Sequence, residues 1–382
     1  MGNNNNNKIW IAIVDDWELR GNETGNVIDL QFNNSIRLIN SFKKLGIKST
    51  FNVEVMQQLA FENYAGNYRN IKDQRDSWIN AVRIMQENNF DIQLHIHPQW
   101  YGASFDGKLW KTGSRWNIVD YPGDLIEKFI NDSIKYLISQ FNVHPVSFRG
   151  GAWGVCCPSR LLFEILGKKG IRVDISIVNG LYSNTRYIKL NYTRIESPYL
   201  PYFPDYDDVR TVSHVKTKII EIPTQSVLRD FKYLSGKALK KIISGRKAIP
   251  TEDTRKNNDS SVSGYSQKED YTSGDGDNII NSDERINKKC IIMDITSLDI
   301  YALQLGFDIM IKRALNALGK GVVPLVVESH TKDLSEGKLG NIEKTVEYVL
   351  KKYGKYVRFV TMKEIVDSID IIQPIRIRQG KI

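Results

Sequence analysis

Gln93-Leu94-His95-Ile96-His97-Pro98 places two of the chain's five histidines two positions apart. Residues 91–94 read as an apolar strand, and in extended backbone alternate side chains point the same way, so His95 and His97 present two imidazoles to one point. That is the geometry of a metal clamp at a strand end. Similar polar clusters recur along the chain: Val14-Asp15-Asp16 before it, then Phe148-Arg149-Gly150-Gly151, and late in the sequence Glu328-Ser329-His330.

Outward from this stretch, short β-rich apolar runs alternate with segments of helical periodicity. Residues 8–14, 50–53, 91–94, 146–148, 171–175, 322–327 and 357–360 read as strands. Residues 35–45, 78–85, 125–141, 158–166, 300–318, 342–352 and 363–369 read as helices; the first is followed by Gly46 and the fourth opened by Pro158. Six or more such units predict an α/β fold on a parallel sheet, open or closed into a barrel.

Each polar cluster falls at the C-terminal end of a predicted strand, the rim on which parallel α/β folds carry their chemistry. Asp15 and Asp16 end the first strand, His95 and His97 the third, Arg149 the fourth, Asp174 the fifth, and His330 follows the sixth. Arg149 would be costly to bury unpaired, and a carboxylate such as Asp15 or Asp174 removes that cost. Five of the seven tryptophans, Trp17, Trp100, Trp110, Trp116 and Trp153, lie in or beside the rim loops, where amphipathic rings suit sugar faces.

The periodic pattern stops over residues 233–289. Residues 251–282 are dominated by Asp, Asn, Ser and Gly, too polar to bury a core, so the segment is expected to be a largely disordered insertion with a short basic helix at 237–243. The N-terminal tail, residues 1–7, is likewise expected to be disordered, leaving one domain over 8–232 and 290–382. No apolar run approaches the roughly 20 residues of a membrane-spanning helix, and the asparagine-rich start lacks the apolar core of a signal peptide. A cytoplasmic protein with no transmembrane segment is expected. Cys156, Cys157 and Cys290 form no disulfide framework and are expected to stay free. The net charge of +9 would attract anions, but the lysines and arginines are scattered rather than gathered with aromatics into a stripe, which argues against nucleic acid.

Taken in order, these motifs resemble the NodB-type polysaccharide deacetylase superfamily, carbohydrate esterases on an irregular (β/α) barrel. They are most similar to a divergent branch, associated with surface-glycan biosynthesis, whose second motif reads His95-Ile96-His97-Pro98-Gln99-Trp100. The resemblance implies a NodB-like barrel of about seven units and a carbohydrate substrate, whether glycan, lipid-linked or nucleotide-linked sugar. It implies one divalent metal, zinc or else cobalt or nickel, held by Asp16, His95 and His97. It further implies Asp15 as general base, Arg149 as its ion-pair partner with Asp174 behind, and His330 as general acid. Trp17, Trp100, Gly151 and Trp153 are the candidate substrate contacts, with a backbone N–H of the Gly150-Gly151 turn opposing the oxyanion. The expected activity is metal-dependent removal of an acyl group, N-acetyl first, from a surface-polysaccharide or O-antigen sugar. Two other readings stay open: an amidohydrolase or PHP-type metallohydrolase, and a catalytically silent glycan-binding relative.

Overall fold

The computed structural model describes residues 8–20, 24–185, 187–228, 231–243, 290–318, 321–372 and 375–377. The strands that form and close the main sheet are β1 (Ile9–Trp17), β2 (Thr50–Glu54), β3 (Asp91–Ile96), β4 (Ser147–Gly150), β5 (Val173–Asp174), β6 (Ile220–Glu221), β7 (Ser226–Leu228), β8 (Cys290–Ile292), β9 (Val323–Ser329) and β10 (Val357–Val360). Its helices are α1 (Asn34–Lys44), α2 (Val55–Tyr64), α3 (Arg69–Glu87), α4 (Gly123–Phe141), α5 (Arg160–Lys168), α6 (Phe231–Ile243), α7 (Ile300–Ala317), α8 (Glu336–Tyr353) and α9 (Met362–Asp367).

The main sheet runs β6-β5-β4-β3-β2-β1-β9, with every neighbouring pair parallel. One edge of β1 is shared: β10 pairs with Ile9–Ala12, and β2 takes over from Val14 to Trp17. The two ends of the sheet meet just after β6. Thr224 bridges in parallel to Val326 of β9, the Gln225 N–H donates to the Val326 carbonyl at 2.8 Å, and Asp294 bridges to Glu328 beyond it. The sheet is therefore curled shut. This is the irregular (β/α) barrel that the resemblance implied.

Strand alternation sorts the core into two layers. On β1, Ile9, Ile11, Ile13 and Trp17 pack outward against the helices, whereas Trp10, Ala12 and Val14 belong to a separate inner cluster with Val173, Ile175, Ile220, Ile222 and Val326. The same parity holds on β9, where Val323, Leu325 and Val327 face the outer layer and Val326 the inner. Because parity carries past the last apolar residue, it also decides which polar rim residues look into the barrel.

Several elements extend beyond their sequence-based bounds. β1 continues through Asp15, Asp16 and Trp17, and β9 through Glu328 and Ser329, since polar residues at a rim keep the ladder while ending the apolar run. Helix α2 has no counterpart in the sequence reading; it is capped by Glu54, whose carboxylate accepts the N–H groups of Met56 and Gln57. A π-helical turn, Ile28–Asn33, leads into α1. Residues 233–243 of the expected insertion lie in α6, where Lys237 and Lys240 pair with Asp299 at 2.6 Å and Asp308 at 3.0 Å around α7. The rest of the expected insertion, 244–289, and the tail, 1–7, lie outside the described residues. Cys290 is free, but Cys156 and Cys157, expected to be free, are joined as a vicinal disulfide. Among the described residues no helix is long and apolar enough to cross a membrane.

Candidate functional site

At the C-terminal end of the barrel, the inner parity of β1 continues from Val14 to Asp16 and then to Glu18. On β3 it runs Gln93, His95, His97, and on β9 it runs Val326, Glu328, His330. Two neighbouring clusters result: Glu18 with His95 and His97, and Asp16 with Glu328 and His330.

In the first cluster, Glu18 Oε2 lies 3.0 Å from His95 Nε2 and also against His97 Nε2, so one carboxylate oxygen and two ring nitrogens surround a single point. The far nitrogens are anchored. His95 Nδ1 meets the Arg149 carbonyl at 2.9 Å, which must accept; Nδ1 therefore carries the proton and Nε2 keeps its lone pair for a ligand. His97 Nδ1 faces the Gln99 amide at 2.9 Å. Glu54 fixes the backbone beneath by accepting the His97 N–H at 2.9 Å, and burial pushes the Glu54 carboxyl up to about 7 even with His97 alongside. Two imidazoles and a carboxylate, second partners in place, fit a divalent first-row cation. Glu18 also pairs through Oε1 with the partly buried Lys332 ammonium. Although burial opposes it, the neighbouring His97 and Lys332 hold the Glu18 carboxyl well below the usual range.

The second cluster is built on Arg149, fully buried at the end of β4. Its Nε donates to Asp16 Oδ2 at 2.9 Å, its Nη2 lies 2.6 Å from Glu328 Oε1, and its Nη1 donates to the Ile175 carbonyl at 2.6 Å and to Thr224 Oγ1 at 2.8 Å. Burial would raise the Asp16 carboxyl, but the Arg149 guanidinium and nearby histidines keep it lowered. His330 stands 4.0 Å from Asp16 Oδ2 through Nε2, and its Nδ1 donates to Asp294 Oδ2 at 3.0 Å. Asp294 also accepts from the Thr296 N–H and from the Thr296 and Ser297 hydroxyls, which holds its carboxylate ionised. Burial and the Lys332 ammonium work against a charged His330, yet Asp294 and Glu328 prevail and raise the imidazole to about 10.

The structure therefore brings His95, His97, Arg149 and His330 together as expected, but it divides the adjacent aspartates. Asp15 has the opposite parity to Asp16: it looks away from the barrel interior and accepts the hydroxyls of Ser329 at 2.6 Å and Thr331 at 3.2 Å, and burial raises its carboxyl to about 6. It makes no ion pair with Arg149. Asp16 takes that pairing instead, and the position expected of Asp16 beside the two histidines is filled by Glu18.

Asp174 departs from expectation for the same reason. Val173 and Ile175 face inward, so Asp174 faces out. There it accepts the Ser176 hydroxyl at 2.7 Å and shares a buried hydrogen bond with the Glu221 carboxyl, which burial raises well above its usual value. Arg149 reaches the Ile175 carbonyl, not Asp174.

Among the substrate candidates, Trp17 is fully buried on the outer face of β1, donating to Ser35 Oγ at 2.7 Å and packing on Trp78, so it lines no binding surface. Trp100 is buried in an aromatic cluster with Phe61 and Trp110. Trp153 is half-buried with Arg149 Cζ 5.8 Å from its ring centroid, and it adopts positive φ, as does Ala152. Gly151 is required sterically: a Cβ there would stand 2.6 Å from the Ile96 carbonyl oxygen and 2.8 Å from the His97 ring. The Gly150 N–H is already committed to Ser176 Oγ at 2.8 Å and is not a free oxyanion donor.

Glu18, Asp294 and Lys332 carry no role in the sequence-based expectations, and Glu328 enters them only within the motif that ends in His330. Glu18 was readable as the i+2 partner of Asp16, by the alternation that pairs His95 with His97. Asp294 carried no comparable signal, since it joins the site only through barrel closure.

No family model matches the chain, and no curated protein matches it in sequence. Solved structures similar in fold include the PuuE allantoinase, 11% identical over 97% of this chain and 93% of that one, TM-score 0.49. Another is a protein assigned as a polysaccharide deacetylase from Mycobacterium smegmatis, 11% identical over 100% and 98%, TM-score 0.48. A third is a family 4 carbohydrate esterase from Streptomyces lividans in complex with acetate, 10% identical over 92% and 91%, TM-score 0.37.

Proposed function

We propose that the chain is a metal-dependent hydrolase that removes an acyl group, N-acetyl first, from a carbohydrate in surface-polysaccharide or O-antigen biosynthesis. The observation that carries this reading is the convergence of three units on one barrel rim: Glu18 with His95 and His97, Asp16 with Arg149, and His330 with Asp294. Glu18, His95 and His97 would hold a divalent ion, zinc first among candidates, which when bound polarises an acyl oxygen and acidifies water.

The acid–base work falls to the chain's own side chains. Asp16, kept ionised by Arg149, is placed to accept a proton, and His330, kept protonated by Asp294 and Glu328, to deliver one to a departing amine or alcohol. An acceptor and a donor with carboxyl and imidazole pKa values driven apart are what amide or ester hydrolysis needs. Trp153, half-buried beside Arg149, offers a ring face to a sugar.

The test is release of free acetate by the full chain, loaded with zinc or cobalt, from N-acetylated and O-acetylated amino sugars and oligosaccharides. Release abolished by Asp16→Asn supports the reading. Metal-loaded protein that binds these glycans and releases acetate from none of them overturns it in favour of a glycan-binding protein.

A further inference from the structure

Glu328 is completely buried, and its backbone is fixed on both sides. It pairs with Val14 of β1, while its N–H donates to the Met293 carbonyl at 2.9 Å and its carbonyl accepts the Ile295 N–H at 2.8 Å. The inner parity of β9 then leaves its side chain no exit to solvent. A single oxygen, Oε1, lies 2.6 Å from Arg149 Nη2 on one side and 3.5 Å from His330 Nε2 on the other. Both contacts are charge–charge contacts, and neither carboxylate oxygen accepts a well-aligned hydrogen bond among the described residues.

An ionisable side chain this deep is costly unless it serves a charge. Arg149 already has Asp16, two further acceptors and a strand-end position that would hold it without a second carboxylate. His330 already has Asp294 on Nδ1. What Glu328 adds is a connection between the two.

The geometry points to Glu328 as a positioning residue whose Oε1 couples the Arg149 guanidinium serving Asp16 to the His330 imidazole, tying the accepting and donating sides of the site to one buried carboxylate. This rests on the hydrolase reading for the roles of Asp16 and His330, though the coupling itself is a property of the folded chain. The charged groups facing it are Asp16 from β1, Arg149 from β4, Asp294 beyond β8, and His330 and Lys332 beyond β9, with Glu18 next to Lys332. Of these, only Lys332 and Arg149 oppose the carboxylates around His330; burial raises the Glu328 carboxyl to about 7, so it is ionised where His330 titrates, and removing that charge should weaken the hold on the imidazolium there.

The experiment is ¹⁵N-histidine NMR of the zinc-loaded full chain, with the His330 resonances assigned by their loss in His330→Asn. In Glu328→Gln the His330 imidazole is expected to lose its proton about one to three pH units earlier than in the wild type, while His144 and His214 stay where they are. Glu328→Asp, which keeps the charge and withdraws it by one methylene, should move His330 in the same direction by less, and it serves if the Gln variant does not fold. An unmoved His330 in either folded variant overturns the proposal. The reading needs no substrate: a shifted His330 in a protein that releases no acyl group would sink the hydrolase assignment and leave the coupling standing.

Discussion

Arg149 Nε lies 2.9 Å from Asp16 Oδ2, a buried ion pair between residues 133 positions apart. Asp15, one residue earlier, is bound to Ser329 and Thr331 instead. The contrast makes the two aspartates separable. Asp16→Asn should bind metal normally and lose turnover by about 100- to 10,000-fold, whereas Asp15→Asn, which keeps a hydrogen-bonding side chain away from the site, should retain most of its turnover. Rates of acetate release from both variants, measured beside their metal content, check this; the reverse ranking would return the base role to Asp15.

Metal content distinguishes the ligand sets. Elemental analysis should find one divalent ion per wild-type chain, its loss in Glu18→Gln and in His97→Ala, and its retention in Asp16→Asn. Loss in Asp16→Asn with retention in Glu18→Gln would restore the triad expected from sequence.

Removing Arg149 strands two buried carboxylates. Arg149→Met leaves Asp16 and Glu328 without their shared cation, and breaking a buried pair from one side costs about 3–5 kcal/mol. Urea unfolding followed by circular dichroism should show the loss. A variant as stable as the wild type would mean that both acids simply take up protons on burial.

At Gly151 a single methyl group has no room. Gly151→Ala must displace the Ile96 carbonyl or the His97 ring, so about 1–3 kcal/mol of stability and a measurable part of the zinc affinity should go together. Zinc titration of a variant that stays folded separates the two; unchanged affinity would show that the turn, not His97, yields.

The pH profile should be broad. Asp16 must be ionised to accept a proton, and its lowered carboxyl pKa places that limb on the acid side of the ordinary 3.8. His330 must be protonated to donate, and an imidazole raised to about 10 lets kcat/KM fall only as pH rises through that value. The same shift has a stability sign. A pKa raised above the ordinary 6.5 contributes stability that is complete below 6.5 and is lost as pH climbs through about 10. A profile falling already near pH 7 would show that His330 is not the group titrating.

The alternation of apolar runs and helical periods made the barrel legible, because burial on both faces of a parallel strand writes a continuous apolar run into the sequence. His95 and His97 were legible for a different reason: a period of two puts them on one face. Applied to β1, that rule separates Asp15 from Asp16 and joins Asp16 to Glu18, and applied to β5 it turns Asp174 outward. The sequence therefore held the parity of each strand, and reading the aspartates as a pair overrode it. Trp17 shares the outer parity of Asp15, so its place in the core follows from the same count.

Which inward residues meet is another matter. Glu18 reaches His95 and His97 across β2, Arg149 reaches Glu328 and Asp16 across the barrel, and Asp294 reaches His330 because the segment after β8 docks beside β9. Local sequence sets the direction of each side chain through backbone geometry. The partners are set by the order of strands in the sheet and by its closure between Thr224 and Val326, long-range pairings that no run of neighbouring residues encodes.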